Sequence, residues 1–322
     1  MKPKSSKFEA VDLEHVKTYA MTELHRLVNS NAFAKSMRSE GSFAEFIDSL
    51  PDILAARDLR ELARTVTAAA KSGKAIIVMF GGHVIKTGLA PLLIEWVRNG
   101  VITALATNGA GAIHDVEIAL FGRTSEDVSE GLADGSFGMS RDTADFINGV
   151  IADPENAELG YGEALGGRLV DKKVPHSALS ILAAACQTEV PLTVHVALGT
   201  DIIHQHPTAN GEAIGRASLR DFRILANEVG KLTEGAVVIN IGSAVIMPEV
   251  FLKALTVARN LGYPAHGFTA ANFDMNVHYR PMQNVLNRPT LSGGRKFNFI
   301  GHHEIMIPLL YAMTEIERMK ED

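Results

Sequence analysis

The chain has 322 residues, 46% of them apolar and 21% charged, with a formal net charge of −6. That composition builds a well-buried globule and excludes a disordered chain. Its Lys and Arg are scattered rather than clustered, which excludes nucleic acid as the main partner, because phosphate binding needs clustered cations. One cysteine, Cys186, gives no disulfide framework and fits a reducing cytoplasm. The opening stretch MKPKSSKFEAVDLEH has no apolar core, and no run reaches the roughly 18–20 apolar residues of a membrane span, so neither a signal peptide nor a membrane segment is expected.

Residues 8–72 read as helical. Val11, Val16, Met21, Leu24 and Leu27 recur at helical spacing, and Glu61, Leu62, Val66 and Ala69 extend a second long helix that Gly73 ends. Gly41-Ser42-Phe43 and Leu50-Pro51-Asp52 read as a loop and a helix cap between them. A helical arm over 1–73 is therefore expected ahead of a domain over 74–322. From residue 74 the pattern alternates. Ala75–Phe80 reads as a strand, followed by Gly81-Gly82 and a helix through Leu89–Val97. Val101–Ala106 is the next strand. Residues 124–190 read as mostly helical, with turns at Asp153-Pro154 and Gly166-Gly167. Then come a strand over Pro191–Ala197, a helix over 212–229, a strand over Ala236–Ile241 and a helix over 249–261. A strand over Ala265–Ala271 precedes a polar, Pro-broken stretch, 275–294. Lys296–Ile300 and a helix over 304–319 close the chain. This alternation predicts an α/β fold, a Rossmann-like doubly wound parallel sheet covered by helices on both faces.

The most informative stretch is Val101–Gly122. An apolar strand runs into the tight turn Asn108-Gly109-Ala110-Gly111, and His114-Asp115 opens a helix that stops at Gly122. Strand, glycine turn and helix start present backbone N–H groups and a helix dipole to an anion. His114 stands where a dinucleotide fingerprint would carry its third glycine. Gly81-Gly82-His83, Gly199-Thr200-Asp201, Gly242-Ser243 and Asn272-Phe273-Asp274 also follow strands, so in a parallel sheet all five turns should share one edge.

These turns, in this order, resemble the deoxyhypusine synthase family over about residues 74–316. Thr107-Asn108-Gly109-Ala110-Gly111 with Asp115, Leu198-Gly199-Thr200-Asp201, Ile241-Gly242-Ser243-Ala244-Val245, Thr269-Ala270-Ala271-Asn272-Phe273-Asp274, Arg280-Pro281 and Pro308-Leu309-Leu310 carry the likeness. It implies a Rossmann-like NAD domain, commonly a homotetramer with active sites at subunit contacts. By that likeness Thr107, Asn108, Gly109, Gly111, Asp201, Gly242, Ser243, Thr269, Ala270, His302 and His303 fall at cofactor positions, and Asp274 and Arg280 at the substrate. The departures are specific. The family's Trp-Gly-Lys nucleophile motif is replaced by Met282–Pro289, and its Ala-Asp-Ala-Ser by Gly301-His302-His303-Glu304. Residues 101–122 also resemble the Asn-Ala-x-Ala-Val-His-Asp-Ile-Glu segment of bacterial ornithine cyclodeaminase-type proteins. Both likenesses imply NAD taking hydride from a carbon that bears an amine.

The residues then offer three readings. The leading one is an NAD-dependent enzyme on a small amine or amino acid that does not make deoxyhypusine. In it His114 is a general base with Asp115 as its orienting carboxylate, Asp274 a further catalytic carboxylate, and Asn108–Gly111 the pyrophosphate cradle. Glu117, one turn from His114, reads as a solvating residue. The second reading is a non-catalytic NAD-binding or sensor protein. The third is a metal-dependent hydrolase, in which His204 and His206, with His302-His303, supply ligands. His15 and His25 in the arm carry no chemistry in any of them.

Overall fold

The computed structural model describes residues 6–24 and 27–320. The larger of two compact units, 54–322, is built on one sheet. Its strands are β1 (Ile76–Phe80), β2 (Ala104–Asn108), β3 (Leu192–His195), β4 (Val237–Ile241), β5 (Thr269–Asp274) and β6 (Arg295–Ile300). They lie in the order β3-β2-β1-β4-β5-β6, every neighbouring pair parallel. This is the Rossmann-like, doubly wound arrangement, and its topological switch point falls between β1 and β4.

In chain order the helices are α1 (Phe43–Ser49) in the smaller unit and, in the larger one, α2 (Leu54–Lys71), α3 (Gly82–Lys86), α4 (Ala90–Arg98), α5 (Gly109–Phe121), α6 (Val128–Asp134), α7 (Arg141–Ala152), α8 (Tyr161–Asp171), α9 (Ile181–Gln187), α10 (Gly211–Gly230), α11 (Ile246–Asn260) and α12 (His303–Met319). The side chains of β1 are buried on both faces, as its unbroken apolar run Ile76–Phe80 requires. On one face Ile77, Met79, Val238 and Ala270 pack under α10 and α11 through Leu225, Phe251 and Leu255.

In the smaller unit Ser42 Oγ accepts from Glu45 N, and Glu45 Oε2 accepts from Ser42 N, a capping box that starts α1. The helix expected over Val11–Leu27 does not form. Its described residues, 11–24 and 27, run as turns, bends and irregular backbone with Val11 and Leu27 about nine-tenths exposed, so no burial offsets the cost of nucleating a helix. His15 is exposed there, and His25 lies outside the described residues. The second expected helix forms as α2 but belongs to the larger unit. It packs on α12, and Thr67 Oγ1 donates to Thr314 O. The two compact units divide at 53/54.

Two further differences have local causes. Gly166-Gly167 does not turn. It lies inside α8, where a side chain at Gly166 would crowd Leu182 O at 2.7 Å, so the glycine admits α9 rather than a bend. Strand β5 begins at Thr269, after Gly267 turns the chain with φ +78, and runs on to Asp274. Asn272-Phe273-Asp274 are thus the end of the strand and not the turn after it.

Two polar devices hold the ends of the sheet. Asn240 Nδ2 donates to Asn272 Oδ1 (2.8 Å) and to Ser243 O (3.0 Å), and Asn272 Nδ2 donates to Asn298 Oδ1 (2.9 Å). These three asparagines are register partners on β4, β5 and β6, and they fix the turn after β4. On the open edge of β3, Ser218 of α10 accepts from Val196 N and donates to Val194 O, and Asp221 Oδ2 accepts from Val194 N (2.7 Å) and Gly162 N (3.0 Å). The edge thereby loses its free backbone groups to a helix rather than to another strand.

Burial pushes the Asp221 carboxyl up to about 7, against those backbone bonds. Between about pH 4 and pH 7 the folded chain therefore holds this proton more tightly than the unfolded chain, so the group's contribution to stability grows as pH falls through that window. In Asp221→Asn that slope is lost. Urea denaturation should show a larger stability difference between wild type and variant at about pH 5 than at about pH 7.

Candidate functional site

Because all six strands are parallel, their carboxyl ends form one edge, and the turns there touch. Gly81 N, after β1, donates to Ile241 O (3.0 Å), and any side chain at Gly81 would collide with Gly242 O. Gly242 N donates to Phe273 O, His303 Nε2 donates to the same carbonyl (3.3 Å), and Gly301 N donates to Asp274 O. The turns after β1, β4, β5 and β6 thus meet at the switch point. On the other side of β1, Gly82 backs onto the His114 ring of α5 and Asp201 presses on Gly109. His83 completes the link, its ring 5.5 Å from that of His303. The convergence expected of the five turns is therefore seen, and Gly81-Gly82-His83 is its centre.

A cavity of about 200 Å³ opens beside α5, lined among others by Lys86, Ile113, His114, Glu117, Phe137 and Asp201. His114 Nδ1 lies 2.7 Å from Thr124 Oγ1, and the Thr124 hydroxyl donates to Glu117 Oε2. Glu117 Oε1 accepts from Thr143 Oγ1 (3.1 Å), which in turn contacts Ser140 Oγ. Burial alone would push the Glu117 carboxyl up, but its contacts with His114, Thr124 and Thr143 outweigh burial and hold it below its ordinary range. An ionised carboxylate, a hydroxyl and an imidazole thus stand in one row, and the residues at its two ends, Glu117 and His114, line the cavity.

The start of α5 is not open to an external anion. Asn108 accepts from Gly111 N (3.0 Å) as the helix cap, and Thr107 Oγ1 donates back to Phe80 O. Asp201 is nine-tenths buried against Gly109, so the positive end of the helix already faces the protein's own carboxylate. Burial raises the Asp201 carboxyl, opposed by His204 and Thr200. His204 Nδ1 accepts from Gly199 N, so Nε2 carries the proton. Nε2 lies 3.8 Å from Asp201 Oδ2, and neither atom has a hydrogen-bond partner.

Other expected residues stand elsewhere. Asp115 does not orient His114. It points to a different face of α5, fully buried, and accepts from Ser180 Oγ (2.5 Å), Ile181 N (2.8 Å) and Leu182 N (3.1 Å) at the start of α9. The carboxylate beside His114 is Glu117, which the sequence read as solvating. Asp274 is buried at the edge, accepts from Asn276 N and lies 3.7 Å from His278 Nε2. Ser243 Oγ caps α11 at Met247 N. Arg280, half exposed, is paired with Glu249 on α11. His303 is buried, whereas His302 is exposed. Thr269 and Ala270 begin β5, about a strand length (~16 Å) from its carboxyl end, so the fold does not bring them to this edge. His206 Nε2 donates to Gly138 O, away from His204, and among the described residues no group of three His, Cys, Asp or Glu could hold a metal.

Thr124, Thr143 and Lys86 gave no pattern in the sequence. Thr124 and Thr143 lie ten and 29 positions beyond His114, on a loop and on the next-but-one helix, and only folding brings them to Glu117. Removing the cap in Asp115→Ala leaves three buried donors unpaired. Stability should fall by about 1–3 kcal/mol in chemical denaturation, with no change in the His114 environment.

A family model for the Rossmann-fold C-terminal region of ArgZ-like arginine dihydrolases matches residues 60–148. An ornithine cyclodeaminase from Methanothermobacter thermautotrophicus is 36% identical over 64 residues, which is 20% of this chain and 16% of that protein. Among solved structures, the ternary complex of AgrE with ornithine and NAD+ superposes with a TM-score of 0.52 at 13% identity, over 82% of this chain and 34% of that one. A chain from Entamoeba histolytica, named provisionally as a deoxyhypusine synthase, gives 0.52 at 13% identity over 88% of this chain and 96% of that one. At these identities the superpositions show the fold, a Rossmann-like α/β sheet. This chain spans about a third of the AgrE chain. Both likenesses drawn from the turns, to deoxyhypusine synthase and to ornithine cyclodeaminase, recur among these relatives.

Proposed function

We propose that this chain is an NAD-dependent enzyme that oxidises a small amine or amino acid, and that it is not a deoxyhypusine synthase. The observation that carries the reading is the row His114–Thr124–Glu117 on a cavity at the carboxyl edge of a Rossmann-like sheet. The relatives add support, since AgrE was solved with ornithine and NAD+ and the sequence relative is an ornithine cyclodeaminase.

The residues at the edge fit a hydroxyl- and amide-rich ligand. Asp201 Oδ2 and His204 Nε2, in the turn after β3, and His303 Nδ1, after β6, are buried at the same edge without hydrogen-bond partners. Asp201, Gly242, Ser243 and His303 would hold the dinucleotide, and the start of α5 would meet it only through Asp201. NAD, when bound, supplies a hydride acceptor. His114, with its charge balanced by Glu117, would take the proton that the substrate loses. Lys86, at the cavity wall without a hydrogen bond or ion pair in the described structure, would meet a substrate carboxylate. The homotetramer implied by the family likeness belongs to the same proposal.

NAD should raise the melting temperature, with stabilisation of about 2.7 kcal/mol at a hundred times its dissociation constant. An unmoved melt at millimolar NAD would overturn the reading. In a turnover assay with L-ornithine and related amines, His114→Gln should lower kcat by about 10²–10⁴-fold while keeping the NAD melt shift. The non-catalytic reading gains from the lack of a lysine in the 281–288 segment, and it predicts the melt shift with no NADH formed from any amine.

A further inference from the structure

The Thr124 hydroxyl has one proton to give and sits between a carboxylate and an imidazole. The carboxylate is Glu117, whose other oxygen already accepts from Thr143. An ionised carboxylate only accepts, so the Thr124 proton goes to Glu117 Oε2. With its proton committed, Oγ1 can only accept from the ring atom 2.7 Å away, which is His114 Nδ1. The same logic runs outward: Thr143 gives its proton to Glu117, so the contact at 3.1 Å with Ser140 is filled by the Ser140 hydroxyl. Each hydrogen in the row is thereby assigned from one fixed charge.

We infer that Thr124 is a positioning residue that locks neutral His114 as the Nδ1–H tautomer, leaving the Nε2 lone pair as the base. Glu117 cannot do this alone. Its Oε2 lies 3.7 Å from Nδ1, beyond hydrogen-bond reach. An unpartnered imidazole favours the proton on Nε2, so without the hydroxyl the ring would mostly present a donor where catalysis needs an acceptor. The link to catalysis rests on the reading of His114 as the proton-moving group. The tautomer itself does not.

The test is ring-nitrogen NMR on protein labelled with ¹⁵N at histidine, recorded above the pH at which the ring titrates, with the His114 signals assigned by their loss in His114→Gln. Wild type should show a protonated Nδ1 and a bare Nε2. Thr124→Val, which keeps the shape and removes the hydroxyl, should shift the His114 signals toward the Nε2–H form, and Thr124→Ser should restore them. A wild-type spectrum with the proton on Nε2 overturns the inference and needs no variant to fold. So does a folded Thr124→Val with unchanged His114 signals. With an amine substrate in hand, Thr124→Val should lower kcat at least about tenfold at unchanged KM. If His114→Gln leaves turnover intact, the functional reading falls while the tautomer result stands.

Discussion

The contact on which the molecule depends is backbone on backbone. At the switch point the turn after β1 lies directly against the turn after β4, with Gly81 N bonded to Ile241 O and the Gly81 α-carbon facing Gly242 O. No side chain fits between them. That closeness brings Gly82 onto His114 on one side and His83 toward His303 on the other, so the two halves of a doubly wound sheet share one centre instead of two separate rims. The asparagine row on β4, β5 and β6 serves the same end, because Asn240 holds Ser243 O and so fixes where Gly242 can lie. Gly242 itself, at φ +60, takes a conformation that ordinary side chains avoid, and His303 fills the space beside it.

A second constraint is electrostatic. Three buried aspartates of the larger unit each face a helix start: Asp115 at α9, Asp221 at α8 and Asp201 at α5. Backbone N–H groups and the helix dipole favour a carboxylate at each, yet burial pushes all three carboxyls upward. Asp115 joins α5 to α9 through both its oxygens, and Asp221 joins α10 to α8 through Oδ2 while its Oδ1 has no partner. Asp201 likewise leaves Oδ2 without a partner, and it lines the cavity that His114 and Glu117 line.

The sheet was legible because buried parallel strands leave short apolar runs bounded by glycine and polar turns, as at Ile76–Phe80 and Val237–Ile241. The shared edge followed from parallelism alone. What the sequence concealed were directions. His114 and Asp115 are neighbours in the chain but about 100° apart around α5, so a pair that reads as base and orienter serves two different sites. Glu117, one turn on, shares the face of His114 and takes the place given to Asp115. Thr124 and Thr143 could not be read, because an isolated threonine on a loop has no periodicity to mark it. Gly166-Gly167 misled for a related reason: a glycine pair marks close approach as readily as a turn. The arm was misread because helical spacing states only which residues could share a face, and at Val11–Leu27 that face is exposed.

The segment after β5 supports the proposal that this chain is not a deoxyhypusine synthase. Where that family carries a lysine nucleophile, this chain forms a π-helix over Pro281–Asn287 that buries Val285 and Leu286 against the core. Its polar side chains are spent on holding that helix: Arg280 and Asn284 on Glu249, and Arg288 on Asn284 and Tyr279. Lys296, on the outer strand β6, donates to Asn287 and so braces the same segment. An amine that must attack carbon needs a free lone pair, and the segment itself holds no lysine. A reaction in which the nitrogen belongs to the substrate needs no such group. It needs a hydride acceptor and a base whose lone pair is held ready, and in the function proposed above the His114–Thr124–Glu117 row is the group that would supply the second.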